Sequence, residues 1–213
     1  MYTYDSLFDE VLYTLDRVDD ADFEANLPGY IQQAQAKIAA EKDYLGFQVA
    51  LVGAFTTGDP VVAKPAGWRK TMSINYGTGT NNADRNPLNL RTYEYCRAYW
   101  PNGDTYNAAN PPLFYADYQF DHWLISPTPN DDNPFEAIIM QTPQDLTDAN
   151  QTNWLTQYNP LLLKLAVLLV AAPTLKNDAR IPMWDTMYKE QLGIQTQEAL
   201  KQLVDRVQAV NTP

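Results

Sequence analysis

Residues 159–172 read Asn159-Pro160-Leu161-Leu162-Leu163-Lys164-Leu165-Ala166-Val167-Leu168-Leu169-Val170-Ala171-Ala172. Asn ahead of Pro is a strong helix start, because Asn is a favoured N-cap and Pro at the first helical position sacrifices no intrahelical hydrogen bond. The residues after Pro160 are apolar on nearly every side, so the helix over 160–172 has to be surrounded by other elements. The run from Leu161 to Ala172 is twelve residues, interrupted by Lys164. That is too short to cross a bilayer and fits a buried core helix. Pro173 kinks or ends it.

The elements that cover this helix are read outward from it. Residues 5–17 carry Leu7, Phe8, Val11, Leu12 and Leu15 at the i, i+3/i+4 spacing of one helix face, with Ser6 as its cap. The run Asp19-Asp20-Ala21-Asp22 interrupts that pattern. A second helix is expected from Pro28 to Leu45, with Ile31, Ala34, Ile38 and Leu45 on its apolar stripe and Gly46 as its stop. Thr147 or Asp148 is expected to cap a helix reaching towards Tyr158. Pro182 opens a last helix over 182–210, roughly 43 Å long at about 1.5 Å per residue. Its Leu200, Leu203, Val207 and Val210 form a narrow seam suited to a bundle neighbour.

The middle is different. Gly-Asp-Pro, Lys-Pro, Asn-Pro, Trp-Pro-Asn-Gly and Pro-Pro punctuate the chain after Phe47. Between them lie short runs of strand character: Met72, Ile74 and Tyr76 at period two, Tyr118-Gln119-Phe120, Trp123-Leu124-Ile125, and Phe135 to Met140. Asp121-His122 reads as a tight turn and Gly77 to Asn82 as a flexible one. The expected class is α+β: a four-helix bundle formed by both chain ends, with an inserted antiparallel β domain. The expected division is 1–46 for the N-terminal part of the helical bundle, 47–146 for the inserted β domain, and 147–213 for the C-terminal part of the bundle with a docking tail.

Charge narrows the function. The chain of 213 residues has 15 Lys and Arg against 26 Asp and Glu, a net charge of −11. Phosphate-backbone binding and attachment to anionic membrane surfaces both need clustered cations, so both are excluded as expectations. One cysteine, Cys96, allows no internal disulfide and suits a reducing compartment. Met1-Tyr2-Thr3-Tyr4-Asp5 has neither a basic stretch nor an apolar one of signal-peptide type, so a soluble intracellular chain is expected.

Chemistry is sparse. His122 is the only histidine and, with Cys96 distant in sequence, supplies no metal-ligand spacing. Cys96 lacks a neighbouring base and reads as a packed thiol. Asp117, Asp121 and Glu136 lie near aromatic residues, but no spacing singles out the paired carboxyls of a glycosidase. Gly77-Thr78-Gly79-Thr80 has no Lys or helix behind it and is not a phosphate loop. Asp19-Asp20 and Asp131-Asp132 lack the ligand spacing of a calcium loop. No catalytic residue, metal or cofactor is expected. The middle is instead rich in aromatics, among them Trp68, Tyr76, Tyr93, Tyr95, Phe114, Tyr118, Phe120 and Trp123, more than a small domain buries in its own core. Aromatic side chains are enriched at interfaces. Tyr99, Trp100, Tyr106 and Tyr115 are the candidate interface residues.

Read in order, several segments resemble the head-to-tail adaptor (connector) proteins of tailed bacteriophages, particularly the short-tailed type. Leu27-Pro28-Gly29-Tyr30-Ile31-Gln32-Gln33-Ala34-Gln35-Ala36-Lys37-Ile38 is similar to the family's first long helix, with Gln35 where Glu is frequent. Lys64-Pro65-Ala66-Gly67-Trp68 resembles the proline-led start of the β region. Leu90-Arg91-Thr92-Tyr93-Glu94-Tyr95, Pro112-Leu113-Phe114-Tyr115-Ala116 and Ile125-Ser126-Pro127-Thr128-Pro129 come next, in the family's order. Asp145-Leu146-Thr147 and Thr152-Asn153-Trp154-Leu155 then lead into the apolar helix. The resemblance implies a non-enzymatic virion protein of the neck, made in the host bacterial cytoplasm and lacking cofactors. It implies a homo-oligomeric ring, usually of twelve copies, between the portal protein and a tail nozzle or tail-tube protein. DNA passes through the lumen without specific binding, and no membrane is involved. The family's use of its C-terminal end carries portal docking onto Leu203, Val204, Val207, Val210, Asn211, Thr212 and Pro213. The alternatives are another tail or neck component, such as a terminator or baseplate subunit, and a carbohydrate-binding or carbohydrate-acting protein.

Overall fold

The structure is a computed structural model that describes residues 2–78, 84–101, 111–174 and 178–210, with side chains undescribed at 78, 84 and 199–210. The described chain is α+β and folds as two compact units, one of residues 1–47 and 142–213 and the other of residues 48–141.

In the helical unit, α1 (Tyr4–Leu15) buries Leu7, Val11, Leu12 and Leu15 along one stripe. Thr3, not Ser6, is its N-cap: Thr3 accepts from the Ser6 amide while Ser6 Oγ accepts from the Thr3 amide, a reciprocal capping box. The helix expected from Pro28 starts a full two turns earlier. α2 (Ala21–Glu41) is capped by Asp20, whose carboxylate accepts from Phe23 N–H, and it runs straight through Pro28. An interior Pro removes one hydrogen bond and crowds the preceding turn. The buried stripe Phe23, Leu27, Ile31, Ala34 and Ile38 continues on both sides of it, and that burial outweighs the local cost.

The helix also ends earlier than expected, at Glu41. Gly46 is not its stop; it leaves room for an indole. A Cβ at Gly46 would collide with the six-membered and pyrrole atoms of Trp154. Trp154 has nowhere to go, being stacked on Tyr44 at 5.5 Å between centroids and edge-on to Phe47 at 5.4 Å. α4 (Trp154–Tyr158) is shorter than expected and starts at an Asn153 capping box. α5 (Pro160–Ala171) begins at Pro160 and passes into a 3-10 turn at Ala172–Thr174, where Pro173 stands.

α5 buries Leu162, Leu163, Leu165, Ala166, Val167, Leu168 and Ala171, and it packs against α1, α2, α4 and α6 (Ile181–Val210). Contacts run through this central helix rather than around a ring of four, so the helices form a hub in place of the expected bundle. Lys164, the single charge in α5, donates to Glu10 on α1, and Tyr2 donates to the same carboxylate. Burial alone would push the Glu10 carboxyl up; the bonds from Lys164 and Tyr2 outweigh it and hold it below its ordinary value of 4.5.

The second unit is a seven-stranded sheet ordered β1 (Gln48–Ala54), β7 (Pro134–Gln141), β3 (Trp68–Thr78), β4 (Asp84–Leu90), β5 (Phe114–Gln119), β6 (His122–Ser126), β2 (Val61–Ala63). It is mixed, not antiparallel: β4 and β5 pair in parallel through Asn89↔Phe114 and Leu90↔Tyr115. Parallel neighbours need a crossover, and α3 (Tyr93–Tyr99) lies within it. Thr92 caps α3 by accepting from Tyr95 N–H. The turn between β5 and β6 is at Phe120-Asp121, one residue before the expected place. The expected turn over Gly77 to Asn82 falls mostly outside the described residues.

Side chains alternate across β5 and β6. Tyr115, Trp123 and Ile125 enter a core with Phe55, Ile74, Tyr76, Leu88, Phe135 and Ile139. Ala116 and Leu124 face the other way, against Cys96 of α3. Two indoles share one acceptor inside: Trp68 and Trp123 both donate to Thr71 Oγ1, at 3.1 and 2.9 Å.

Two glycines give opposite expectations. Gly46→Ala forces the pinned Trp154 aside and lowers stability by about 1–3 kcal/mol, whereas Gly29→Ala, with open space around it in α2, raises it by about 0.5–1 kcal/mol. Denaturant titration of each variant reads both signs. The Glu10 carboxyl gives a pH expectation. Because its folded value is lowered, its contribution is full above its ordinary value of 4.5 and is lost as pH falls through the folded value. The denaturation midpoint therefore drops below about pH 4.5, and Glu10→Gln flattens that part of the profile.

Candidate interaction surfaces

In the sheet unit the sequence motifs sort into core and surface. Ile125, Ser126, Pro127, Thr128 and Pro129 are all buried. Lys64 is buried as well, its side chain 1% exposed. Its ammonium donates to Asp117 Oδ1 at 2.9 Å and to the Gln119 carbonyl at 3.1 Å, and sits 3.6 Å from the centre of the Trp68 ring. Gly67 makes this return possible with φ at 72°, a left-handed turn that glycine adopts freely. The Lys64-to-Trp68 motif is thus a staple joining β2 to β3.

The exposed aromatic face is built on α3. Tyr95 packs on Tyr99 at 4.7 Å and edge-on to Phe114 at 5.8 Å, and Trp100 lies 5.6 Å from Phe114. Two arginines clamp the cluster. Arg91 lies over Tyr95 and Phe114 at 5.7 and 5.3 Å, and Arg97 over Tyr93 and Tyr118 at 5.6 and 5.9 Å. Cation–π pairing of this kind holds both the rings and the guanidinium groups in fixed positions. Leu90 and Leu113 stand exposed beside it. Leu90, Arg91, Thr92, Tyr93 and Asp117 line an open cleft of about 530 Å³. Asp117 is the only carboxylate among its described lining residues, and Lys64 already engages it.

The four aromatics singled out from sequence therefore separate. Tyr99 is 65% exposed and Trp100 is half-buried beside it, while Tyr115 lies in the core at 4%. Tyr106 lies outside the described residues. The sequence reading missed Arg91 and Arg97; the i, i+4 spacing of Arg97 from Tyr93 was the available signal. Cys96 is buried with no exposed sulfur, and burial pushes its thiol up, only partly offset by a bond with Ser126. His122 Nδ1 pairs with Asp121 Oδ1 at 2.7 Å at the β5–β6 turn. Among the described residues no three His, Cys, Asp or Glu side chains gather as metal ligands. No helix among them is long and apolar enough to cross a membrane.

In the helical unit the C-terminal surface is α6, 30 residues and so about 45 Å long. Its first half is anchored. Trp184 and Tyr188 are buried, Tyr188 donates to Glu41 at 2.7 Å, and Arg180 lies over Trp184 at 5.1 Å. Gln195 and Glu198 still line a pocket of about 220 Å³ with Tyr44, Trp154 and Tyr158. Met183, Met187 and Ile194 form an exposed stripe on another face. Of the candidate docking residues, Leu203, Val204, Val207 and Val210 occupy the last turns of α6, and Asn211, Thr212 and Pro213 lie outside the described residues.

The model of the SU10 adaptor protein family matches residues 2–213, virtually the whole chain. The chain belongs to the SU10 adaptor protein family. It is therefore a phage adaptor, a structural protein of the virion neck acting between head and tail. No curated protein matches it significantly. Tyr115 and Tyr99 give opposite expectations. Tyr115→Ala empties a core position and costs the free adaptor about 3–5 kcal/mol, while Tyr99→Ala costs under about 1 kcal/mol. Thermal unfolding of the two variants separates core from surface.

Proposed function

We propose that this adaptor is a non-enzymatic ring component of a short-tailed phage, bound beneath the portal protein and presenting a platform to a tail nozzle or tail-tube protein. The ring, of about twelve copies as the resemblance implies, lengthens the channel through which DNA passes. Family membership across residues 2–213 carries this reading. Two features support it. The net charge of −11 disfavours holding DNA by phosphate pairing, which would impede passage. The long α6, anchored by Trp184 and Tyr188 in its first half, offers Leu203 to Pro213 as the segment that engages the portal. The face around Tyr99 and Trp100, with Tyr106 a few residues on in sequence, is the lateral or tail-facing surface.

Ordering a docking segment costs about 1–2 kcal/mol per residue, which contact with the portal must offset by burial. The test is light scattering of the adaptor alone and mixed with its cognate portal, for the full chain and for a chain lacking residues 204–213. The full chain is expected to form a multi-subunit particle with the portal. The truncated chain is expected to keep the sheet unit folded, to lose no more helical circular dichroism than the deleted turns of α6 account for, and to lose portal binding. A full chain that ignores the portal overturns the ring reading; portal binding retained after truncation overturns the docking assignment alone.

A further inference from the structure

The two edges of the sheet are built differently. β2 is three residues long, with Pro60 before it and Lys64-Pro65 after it, and the Val61 amide is occupied by Asp59 Oδ1 at 2.9 Å. Short length, proline and a blocked amide are the usual guards against unwanted strand pairing. β1 has none of them. It is seven residues long, Gln48-Val49-Ala50-Leu51-Val52-Gly53-Ala54, with no charge and no proline.

Its pairing to β7 is unbroken from Gln48↔Met140 to Ala54↔Pro134, and beyond it the Phe55 amide donates to the Asn133 carbonyl at 2.9 Å. In an antiparallel pair, residues alternate between bonding the partner and turning both backbone groups away. Val49, Leu51 and Gly53 share the direction of Phe55 and bond β7. Ala50, Val52 and Ala54 point their N–H and C=O groups outward, and none of these finds a partner among the described residues. The strand is open to solvent there, with Val52 68% exposed.

We propose that β1 is a seam at which a second copy of this chain adds an extended strand to the sheet. Charge selects the occupant's contact. Copies that each carry −11 repel, so they meet at low cost only where no acidic group is desolvated, and β1 presents an uncharged strand. Backbone pairing supplies the attraction, since the three outward residues each offer a donor and an acceptor to the incoming strand. In a ring, neighbours meet through unlike surfaces, so the added strand comes from a part of the second copy other than its own β1. The inference rests on the ring reading and names one side of the subunit contact.

The experiment is residue-resolved hydrogen exchange, labelling the free adaptor and the portal-bound particle and reading after dissociation. The amides of Ala50, Val52 and Ala54 are expected to slow on the order of tenfold or more in the particle, while those of Val49, Leu51 and Gly53 are protected in both. Two variants accompany it. Ala50→Pro deletes one outward N–H without touching a bond to β7, and Val52→Lys places a charge on an exposed strand position. Both are expected to keep the wild-type circular dichroism and to reduce the assembled fraction by about tenfold, the equivalent of about 1.4 kcal/mol. A particle that forms while the outward amides exchange as in the free chain overturns the inference and leaves the ring reading intact, as do variants that assemble normally. Absence of any multi-subunit particle from the unmodified chain overturns both.

Discussion

The helical unit depends on removing most of one helix from water. α5 carries leucine, valine or alanine at every position but Pro160 and Lys164, and seven of its twelve residues are buried. A helix of that composition has no stable face to show solvent, so α1, α2, α4 and α6 all contribute to its cover. Each gives what it has: α2 a stripe from Phe23 to Ile38, α1 a stripe from Leu7 to Leu15, and α6 two aromatics. The single charge is placed with equal care. Lys164 reaches Glu10 at the margin, where both side chains retain some contact with solvent. Pro28 is tolerated for the same reason. A burial requirement running the length of α2 exceeds the loss of one hydrogen bond.

The sheet unit solves a different problem, which is how to place many aromatic residues in about one hundred. Alternation along β5 and β6 sends Tyr115 and Trp123 to one side and Ala116 and Leu124 to the other. On that second side small residues let α3 approach through Cys96. The approach leaves the rings of α3 and its neighbours outside, where Arg91 and Arg97 cover their faces. Aromatic excess is therefore divided by the pleat, and the division decides which tyrosine holds the fold and which remains on show.

Much of this was legible before the structure. The helix start at Pro160, the apolar run behind it and the stripe of α1 are local patterns that survive folding, although Asn159 sits at the cap position without a side-chain capping bond. Ser6 and Pro28 misled because caps and helix starts were judged one residue type at a time: Thr3 and Asp20 had better geometry, and Ser6 served as the partner in the box. The parallel β4–β5 pair was hidden because no helix was expected in the aromatic segment at Tyr93–Tyr99, which is helical behind the Thr92 cap and packs against β5. Tyr115 was misplaced for a related reason. Strand phase, not residue type, determines its side, and one residue's shift in register reverses it. In the sequence Lys64 reads only as the start of a proline-led entry to the β region; its tertiary contacts with Trp68 and Asp117 show why it is inside.

Among the described residues of this adaptor the unpartnered polar groups are of two kinds: Gln35 Nε2, the Tyr44 hydroxyl and the Asn159 side-chain amide are buried without a hydrogen bond in the helical unit, and others lie at the surface. Several titratable residues are engaged in structure: Glu10 with α5, Lys64 at a strand junction, Asp20 in a cap. Among the described residues, the surface groups left over are the outward backbone groups of β1 and the exposed rings of α3. A monomer that satisfied these internally would gain stability, but it would then have to give up those contacts in order to assemble. Under the proposed assembly, leaving them open would keep the free energy of pairing available for the complex, at the cost of strand edges and apolar surface exposed in the free chain. A net charge of −11 works against that hazard, because like-charged free copies repel one another.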